Sequence, residues 1–345
     1  MVQSRIEHKQ NKKRRKLRPF AKVLIFTVLA MFLAGGSVVA YFTHQIANVT
    51  NNSQQELERG DHSAFREVVA DPSDDPVSVL FLGLDTRDGD LSGRTDAMIL
   101  VTFNPDLGTI KMVNIPRDSK VPIIGRNEED KINHAHAFGG VDMTIDTVEN
   151  LLNIPVDYHV SLNFDAFMEI IDELGGIQVD SPMAFTETDN ATYGTLMIEE
   201  GEQVLNGEEA LAYARMRKQD PAGDLGRGER QKEIIESVIR EMATLSSLTN
   251  FNSLMGTVER NLSTNVNFSN IVSMHSYANE LDNIESLHFE GTDLTENGIW
   301  YYQINDASLL EISEELQEHL GMEDKTYVSE DSDADDETEE TSIHP

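Results

Sequence analysis

The chain has 345 residues, no cysteine and a formal net charge of −34. A chain without cysteine has no disulfide framework, thiolate nucleophile or cysteine-based zinc site. The first 22 residues hold nine Lys and Arg and one acid, which leaves 18 basic and 60 acidic groups and a net of −42 for the rest, a balance that repels phosphate backbones and predicts no nucleic-acid binding.

The basic segment 1–22 precedes an uncharged apolar run, Val23 to Phe42. Roughly 20 residues at about 1.5 Å each span a bilayer core of about 30 Å. The flank Lys12-Lys13-Arg14-Arg15-Lys16-Leu17-Arg18 keeps the N-terminus cytoplasmic and sets the remainder outside. The expectation is a single-pass membrane anchor with an extracellular catalytic domain. The competing reading is a cleaved signal peptide ending near Val38-Val39-Ala40, but the apolar run exceeds the usual h-region of about 7–15 residues. Residues 43–75 read as a polar stem, 76–322 as the main domain, and 323–345 as a disordered acidic tail.

Within the domain, Val77–Leu84, Ala97–Phe103 and Thr109–Ile115 are apolar runs of buried-strand type. The turn-forming Asn104-Pro105-Asp106-Leu107-Gly108 joins the last two as a hairpin. Helices are expected at Asp142–Leu152, Asp165–Leu174, Gly207–Arg217, Arg227–Thr244 and Ala307–His319, and strands at Val156–Leu162, from Ile177, and at Ser286–Glu290. The stretch 250–320 is expected to hold two helices and the strand near Ser286–Glu290, and then the final helix at Ala307–His319. Alternating strands and helices predict an α/β fold, and the hairpin makes its sheet mixed.

Charged residues sit at the ends of these strands: Asp85 and Arg87 after the first, Arg94 and Asp96 before the second, Arg117 and Asp118 after the third. The two strand ends and the intervening strand start lie along one sheet edge, where α/β proteins hold ligands. A second group comprises Arg215, Arg217, Asp224, Arg227, Arg230 and Gln231, with the last three on one face of a helix first turn. Guanidinium forks match phosphate oxygens, and cations at a helix start are best explained by an anion between them. Asp85 and Asp96 suit a hard divalent cation that keeps waters and phosphate oxygens as its other ligands. The simpler reading of each arginine alone is an ion pair with a nearby acid. In KINHAHAFGG (131–140), Lys131, Asn133 and the two histidines line a cleft or cap a helix; His134 and His136 as a two-histidine metal site lack an evident third ligand. Gly-x-Ser-x-Gly, Walker and Gly-x-Gly-x-x-Gly patterns are missing.

In this order, LFLGLDTR, GRTDAMILVTFNP, MVNIPRDS, KINHAHAFGG, DELGGIQVD, LNGEEALAYARMR and GDLGRGERQ resemble the LytR–CpsA–Psr family over roughly residues 77–245. The resemblance implies a mixed sheet packed between helices and a deep apolar pocket for a polyprenyl chain. It implies transfer of a glycopolymer, of teichoic acid type, from undecaprenyl pyrophosphate to the C6 hydroxyl of N-acetylmuramic acid in peptidoglycan, forming a phosphodiester. It places Mg²⁺, or Mn²⁺, at Asp85 and Asp96, and pyrophosphate contacts at Arg94, Arg117, Arg215, Arg217, Arg227 and Gln231, with Arg87, Asp118, Lys131, Asn133, Asp224 and Arg230 as further candidates. Two other readings use the same residues: a pyrophosphatase for the same lipid, and a non-catalytic envelope regulator that binds it.

Overall fold

The structure is a computed structural model that describes residues 57–60, 62–86, 90–188, 194–244, 261–266, 270, 273, 274, 277 and 284–322. The basic segment, the apolar run 23–42, stem residues 43–56, Arg87 and the acidic tail lie outside the described residues. Among the described residues no helix is long and apolar enough to cross a membrane.

The centre is a six-stranded mixed sheet built from β1 (Val77–Leu84), β2 (Thr95–Asn104), β3 (Thr109–Asn114), β6 (Tyr158–Asn163), β11 (Leu262–Thr264) and β12 (Ile284–Leu287), in the order β11-β6-β1-β2-β3-β12. β1 runs antiparallel to β2 and parallel to β6, and β2 pairs antiparallel with β3 through the expected turn. Side chains alternate across the sheet. Leu80, Leu82, Met98, Leu100 and Val113 face one side, and Val79, Ile99, Val101 and Met112 the other. Both sides are covered, which is why these strands read as continuous apolar runs rather than as alternating ones. Each such Leu contributes about 1.5–3 kcal/mol by leaving water.

The first side packs on α1 (His134–Leu152) through Ile145, Val148 and Leu152, and on α5 (Asp306–His319) through Ile312 and Leu316. α1 begins eight residues before the expected start, because the HAHAFGG part of the motif (134–140) itself forms helical turns after the N-cap Asn133. It kinks at Gly139 and Gly140; Gly140 has φ of 66°, and a Cβ on Gly139 would lie 2.7 Å from the Met143 side chain. A third apolar cluster joins α2 (Phe164–Leu174), α3 (Gly207–Arg215) and α4 (Asp224–Thr244) to β7 (Ile177–Ser181) and β10 (Gly201–Leu205). Asn163 caps α2 by accepting from the Ala166 amide at 2.8 Å, and Asn206 with Glu209 forms a capping box on α3.

Three short hairpins complete the domain: β4 (Lys120–Pro122) with β5 (Glu129–Lys131), β8 (Phe185–Thr188) with β9 (Thr195–Ile198), and β13 (Gly291–Glu296) with β14 (Ile299–Ile304). The expected stem is only partly a stem. From Leu57 it packs on the domain, with Leu57 in the core, Arg59 paired to the buried Glu149 at 2.6 Å, and Arg66 held by both oxygens of Asp157.

Candidate active site

The sheet edge formed by the end of β1, the start of β2 and the end of β3 carries the site. Leu84 lies opposite Thr95, after an irregularity at Gly83/Leu84, so Asp85 and Asp96 come from adjacent strands at the same edge. A Cβ on Gly83 would lie 3.2 Å from the Ala97 Cβ; glycine lets the strands meet closely there. The Ile115 amide donates to the Met98 carbonyl at 2.8 Å, which brings Pro116-Arg117-Asp118 beside β2.

Arg117 Nη1 donates to Asp96 Oδ1, and its Nε lies 3.5 Å from Asp118 Oδ2. Lys131 Nζ holds the other oxygen of Asp118 at 2.7 Å. Asn133 is buried, and its amide donates to the Arg117 carbonyl at 3.2 Å, fixing the loop from behind. Of the expected strand-edge group, Asp96 and Asp118 therefore gather around Arg117.

Two cavities meet at this pair. One is an apolar hollow of about 120 Å³ between β1, β2 and the helices, lined by Phe81, Ile99, Phe167, Leu211, Ile234 and Ile235, with Asp96, Arg215 and Gln231 at its polar margin. It is smaller than the ~300–1,000 Å³ typical of a small-molecule pocket, and so smaller than the lipid pocket that the resemblance implies. The other is an open and more polar cavity of about 630 Å³, in which Arg117, Asp118, Lys131 and Arg217 stand beside aromatic and small residues. The α3 end serves both: Arg215, its guanidinium 5.0 Å from the Phe164 ring centre, lines the hollow, and Arg217 lines the cavity.

The second arginine group divides differently from the expectation. α4 starts at Asp224, three residues early, so Arg230 and Gln231 lie in its second turn rather than its first. Gln231 Nε2 donates to the Ala214 carbonyl at 3.3 Å and borders the hollow. Arg230 is a brace instead of a ligand: its buried guanidinium donates to the carbonyls of Tyr213 and Met216 and to Asp220. Arg227 is buried on α4 and borders neither cavity. Arg94 and Asp85 are exposed and border neither. The Asp224 side chain, like Arg87, lies outside the described residues.

The two histidines do not form a metal pair. His134 Nδ1 meets Asp130 Oδ2 at 2.7 Å, while His136 Nδ1 donates to the Gly93 carbonyl at 2.9 Å. Burial pushes the His136 imidazole below its ordinary range, against the opposing effect of that bond, so it is neutral and anchors the loop that presents Arg94. Among the described residues no three His, Asp or Glu gather as a metal cluster. The donor set of Asp85 and Asp96 still fits Mg²⁺, which takes only one or two carboxylates beside water and phosphate oxygens.

The far wall of the polar cavity was not expected. It is formed by Phe289 and by Asp293, Trp300 and Tyr302 of the β13–β14 hairpin. The signal was present in Asn297-Gly298, whose φ values of 51° and 80° are those of a tight hairpin turn.

The fold and site define an α/β domain in which an arginine–carboxylate pair separates an apolar hollow from a polar cavity. Residues 40–318 match the LytR_cpsA_psr family, and the chain belongs to it. The chain is 41% identical over 309 residues to the polyisoprenyl-teichoic acid–peptidoglycan teichoic acid transferase TagU of Bacillus subtilis, covering 89% of this chain and 98% of that protein. Its fold is similar to that of TagT bound to LIIa-WTA (TM-score 0.67, 40% identity, 77% and 99% of the two chains). It is also similar to the family protein YwtF (TagT) with bound octaprenyl pyrophosphate lipid (TM-score 0.63, 36% identity, 77% and 99%).

Proposed function

We propose that the protein transfers a glycopolymer of teichoic acid type from a polyprenyl pyrophosphate, the undecaprenyl carrier, to peptidoglycan. The observation that carries this is the bond between Arg117 and Asp96 at the junction of the apolar hollow and the polar cavity. A lipid pyrophosphate has the same three parts in the same order: an apolar tail, a double anion and a hydrated glycan. Relatives of this chain named as teichoic acid transferases, and a family structure holding octaprenyl pyrophosphate, support the same assignment.

In this reading the prenyl tail parts the side chains of the hollow and the pyrophosphate lies against Arg117, Arg215 and Arg217. The C6 hydroxyl oxygen of an N-acetylmuramic acid residue forms a bond to the phosphorus carrying the glycan. The bond from that phosphorus to the bridging oxygen breaks, and polyprenyl monophosphate leaves with the electron pair. The hydroxyl proton passes to a carboxylate of the pair Asp85 and Asp96. Arg117 is placed to stabilise charge that grows on the phosphoryl oxygens. Asp85 and Asp96 would hold Mg²⁺ or Mn²⁺, which when bound neutralises phosphate charge. The apolar run 23–42 anchors the chain with its N-terminus in the cytoplasm and the domain outside, beside its lipid donor.

The test supplies the full chain with Mg²⁺, a pyrophosphate-linked glycan and peptidoglycan fragments, and identifies the product. A glycan–phosphate–peptidoglycan adduct is expected, whereas free glycan phosphate alone would mark a pyrophosphatase. Arg117→Ala and Asp96→Ala should each lower transfer by at least ~10²-fold with the fold intact. Undiminished transfer in both variants would overturn the assignment.

A further inference from the structure

We propose that the β13–β14 hairpin, with Trp300 as its platform, forms a saccharide subsite on the polar cavity. The proposal rests on the transferase reading and assigns a class of ligand to a wall that the arginines do not explain. Asp293 lies opposite Tyr302, and Thr295 opposite Trp300, in the hairpin register. Paired residues share a face, so Asp293, Trp300 and Tyr302 stand on one side, and all three line the cavity.

The hairpin is rigidly placed. The Tyr302 amide donates to the Asp118 carbonyl at 2.9 Å, its hydroxyl donates to the Phe289 carbonyl at 3.0 Å, and Lys120 meets Glu296 at 2.9 Å. The first of these bonds ties the hairpin directly to the residue after Arg117. Trp300, the sole tryptophan, is nonetheless 37% exposed, with Lys131 Nζ 5.7 Å from its ring centre. A large aromatic ring left open on a fixed wall is equipped to cover an apolar face of a ligand.

The charges identify that ligand. Arg117, Lys131 and Arg217 line the cavity together with Asp118, Glu229 and Asp293, and Lys131 is paired with Asp118 and Glu229 with Lys232. Cations and acids are thus matched in number, and no surplus charge is left to draw a further anion beyond the pyrophosphate. A neutral sugar ring suits such a mixed lining, because its hydroxyls donate to carboxylates and accept from cations, and its C–H face packs on indole. The cavity, about 630 Å³, falls within the range of small-molecule sites and is lined by Arg117 as well as by the hairpin. The sugar has two sources: the first residues of the donor glycan, or the acceptor glycan strand.

The sole tryptophan reports on its own site. Titrating the full chain with a soluble N-acetylglucosamine–N-acetylmuramic acid oligosaccharide should change its emission saturably if the acceptor binds there. A short-prenyl pyrophosphate-linked disaccharide should do so if the donor sugar binds there, whereas the same prenyl pyrophosphate without sugar should not. Asp293→Asn, which keeps the side-chain shape, should weaken the responding titration. Trp300→Ala should raise the KM of the responding substrate about tenfold with little change in kcat, and Trp300→Phe should restore most of it. Silent emission with both glycans, or an equal response to the sugar-free pyrophosphate, refutes the subsite. Saturable emission without any transfer by the unaltered chain would retain the subsite and reject the transferase reading instead.

Discussion

The Arg230 side chain is 3% exposed and ends on two backbone carbonyls and Asp220, whereas that of Arg117 is 25% exposed and faces a cavity. The same cation therefore has two uses. Removing Arg230 leaves a buried carboxylate and two carbonyls without their donor, at a cost of about 3–5 kcal/mol. Removing a half-open ion pair costs only about 0–1 kcal/mol. Arg230→Ala should thus lower the denaturation midpoint sharply, while transfer per folded molecule persists. Arg117→Lys should unfold like the parent and still lose transfer by about 10²-fold, because a single ammonium does not reproduce a planar fork. Urea titrations paired with transfer assays of both variants check this. Equal destabilisation of the two would contradict the division. Sequence spacing put Arg227, Arg230 and Gln231 on one helical face, but it carried no information on which neighbour each side chain meets. Arg230 reads as a phosphate ligand until the Tyr213 and Met216 carbonyls are seen beneath it.

At the level of elements, β1, β2 and β3 were legible because both faces of each are buried and the sequence shows it without interruption. The short outer strands β4, β5 and β8 carry few apolar residues and owe their form to pairing, so composition hid them, and β9, although apolar, is only four residues long. β13 was hidden by its polar residues Thr292, Asp293, Thr295 and Glu296, and without that partner strand the apolar run of β14 behind Asn297-Gly298 did not mark a hairpin or the cavity wall. Of the strand-edge residues, Asp96, Arg117 and Asp118 come together where motif order put them, whereas Asp85 and Arg94 border neither cavity. α5 shows a contribution that sequence leaves silent. His319, in its last turn, meets Thr102 Oγ1 at 2.8 Å and Thr109 Oγ1 at 2.9 Å, locking the helix to β2 and β3. Burial, with Lys111 nearby, pushes this imidazole down to about 4, and burial does the same to His159. An unfolded histidine titrates near 6.5. Between about 6.5 and 4 the unfolded chain holds the proton and the folded chain does not, so stability falls as pH drops through that window. The loss from His319 should reach about 2 kcal/mol at pH 5. Asp146 and Glu236, which burial pushes up, act in the other sense, so the comparison must isolate one group. Urea unfolding of parent and His319→Gln at pH 7.5 and 5 does so. The parent should lose more stability than the variant over that interval, and equal losses would refute the assignment.

Considered as a whole molecule, the domain is closed by chain that composition assigned to a stem. Arg66 donates to both oxygens of Asp157 at 3.0 and 2.9 Å and to the Pro76 carbonyl at 2.8 Å. Asp157 is buried and also accepts from the Ser78 amide at 3.0 Å, at the start of β1. Arg59 reaches Glu149 near the end of α1, and Glu149 in turn accepts from the Val156 amide at 2.7 Å, just before β6. Two arginines thus neutralise two buried carboxylates that organise the joints between α1, β6 and β1. A chain that begins at Pro76 would retain every cavity-lining residue and strand of the sheet, yet leave Asp157 and Glu149 buried without their cations and expose the core face under Leu57. An uncompensated buried charge costs about 3–5 kcal/mol, and each kcal/mol moves the melting point of a domain this size by about 2–4 °C. The shortened chain should therefore melt about 10 °C or more below one that begins near Leu57. Much of that loss should reappear in Arg66→Ala of the longer chain. Calorimetric melting of the three proteins at one pH decides the point, and coincident melting temperatures would return residues 57–75 to the stem.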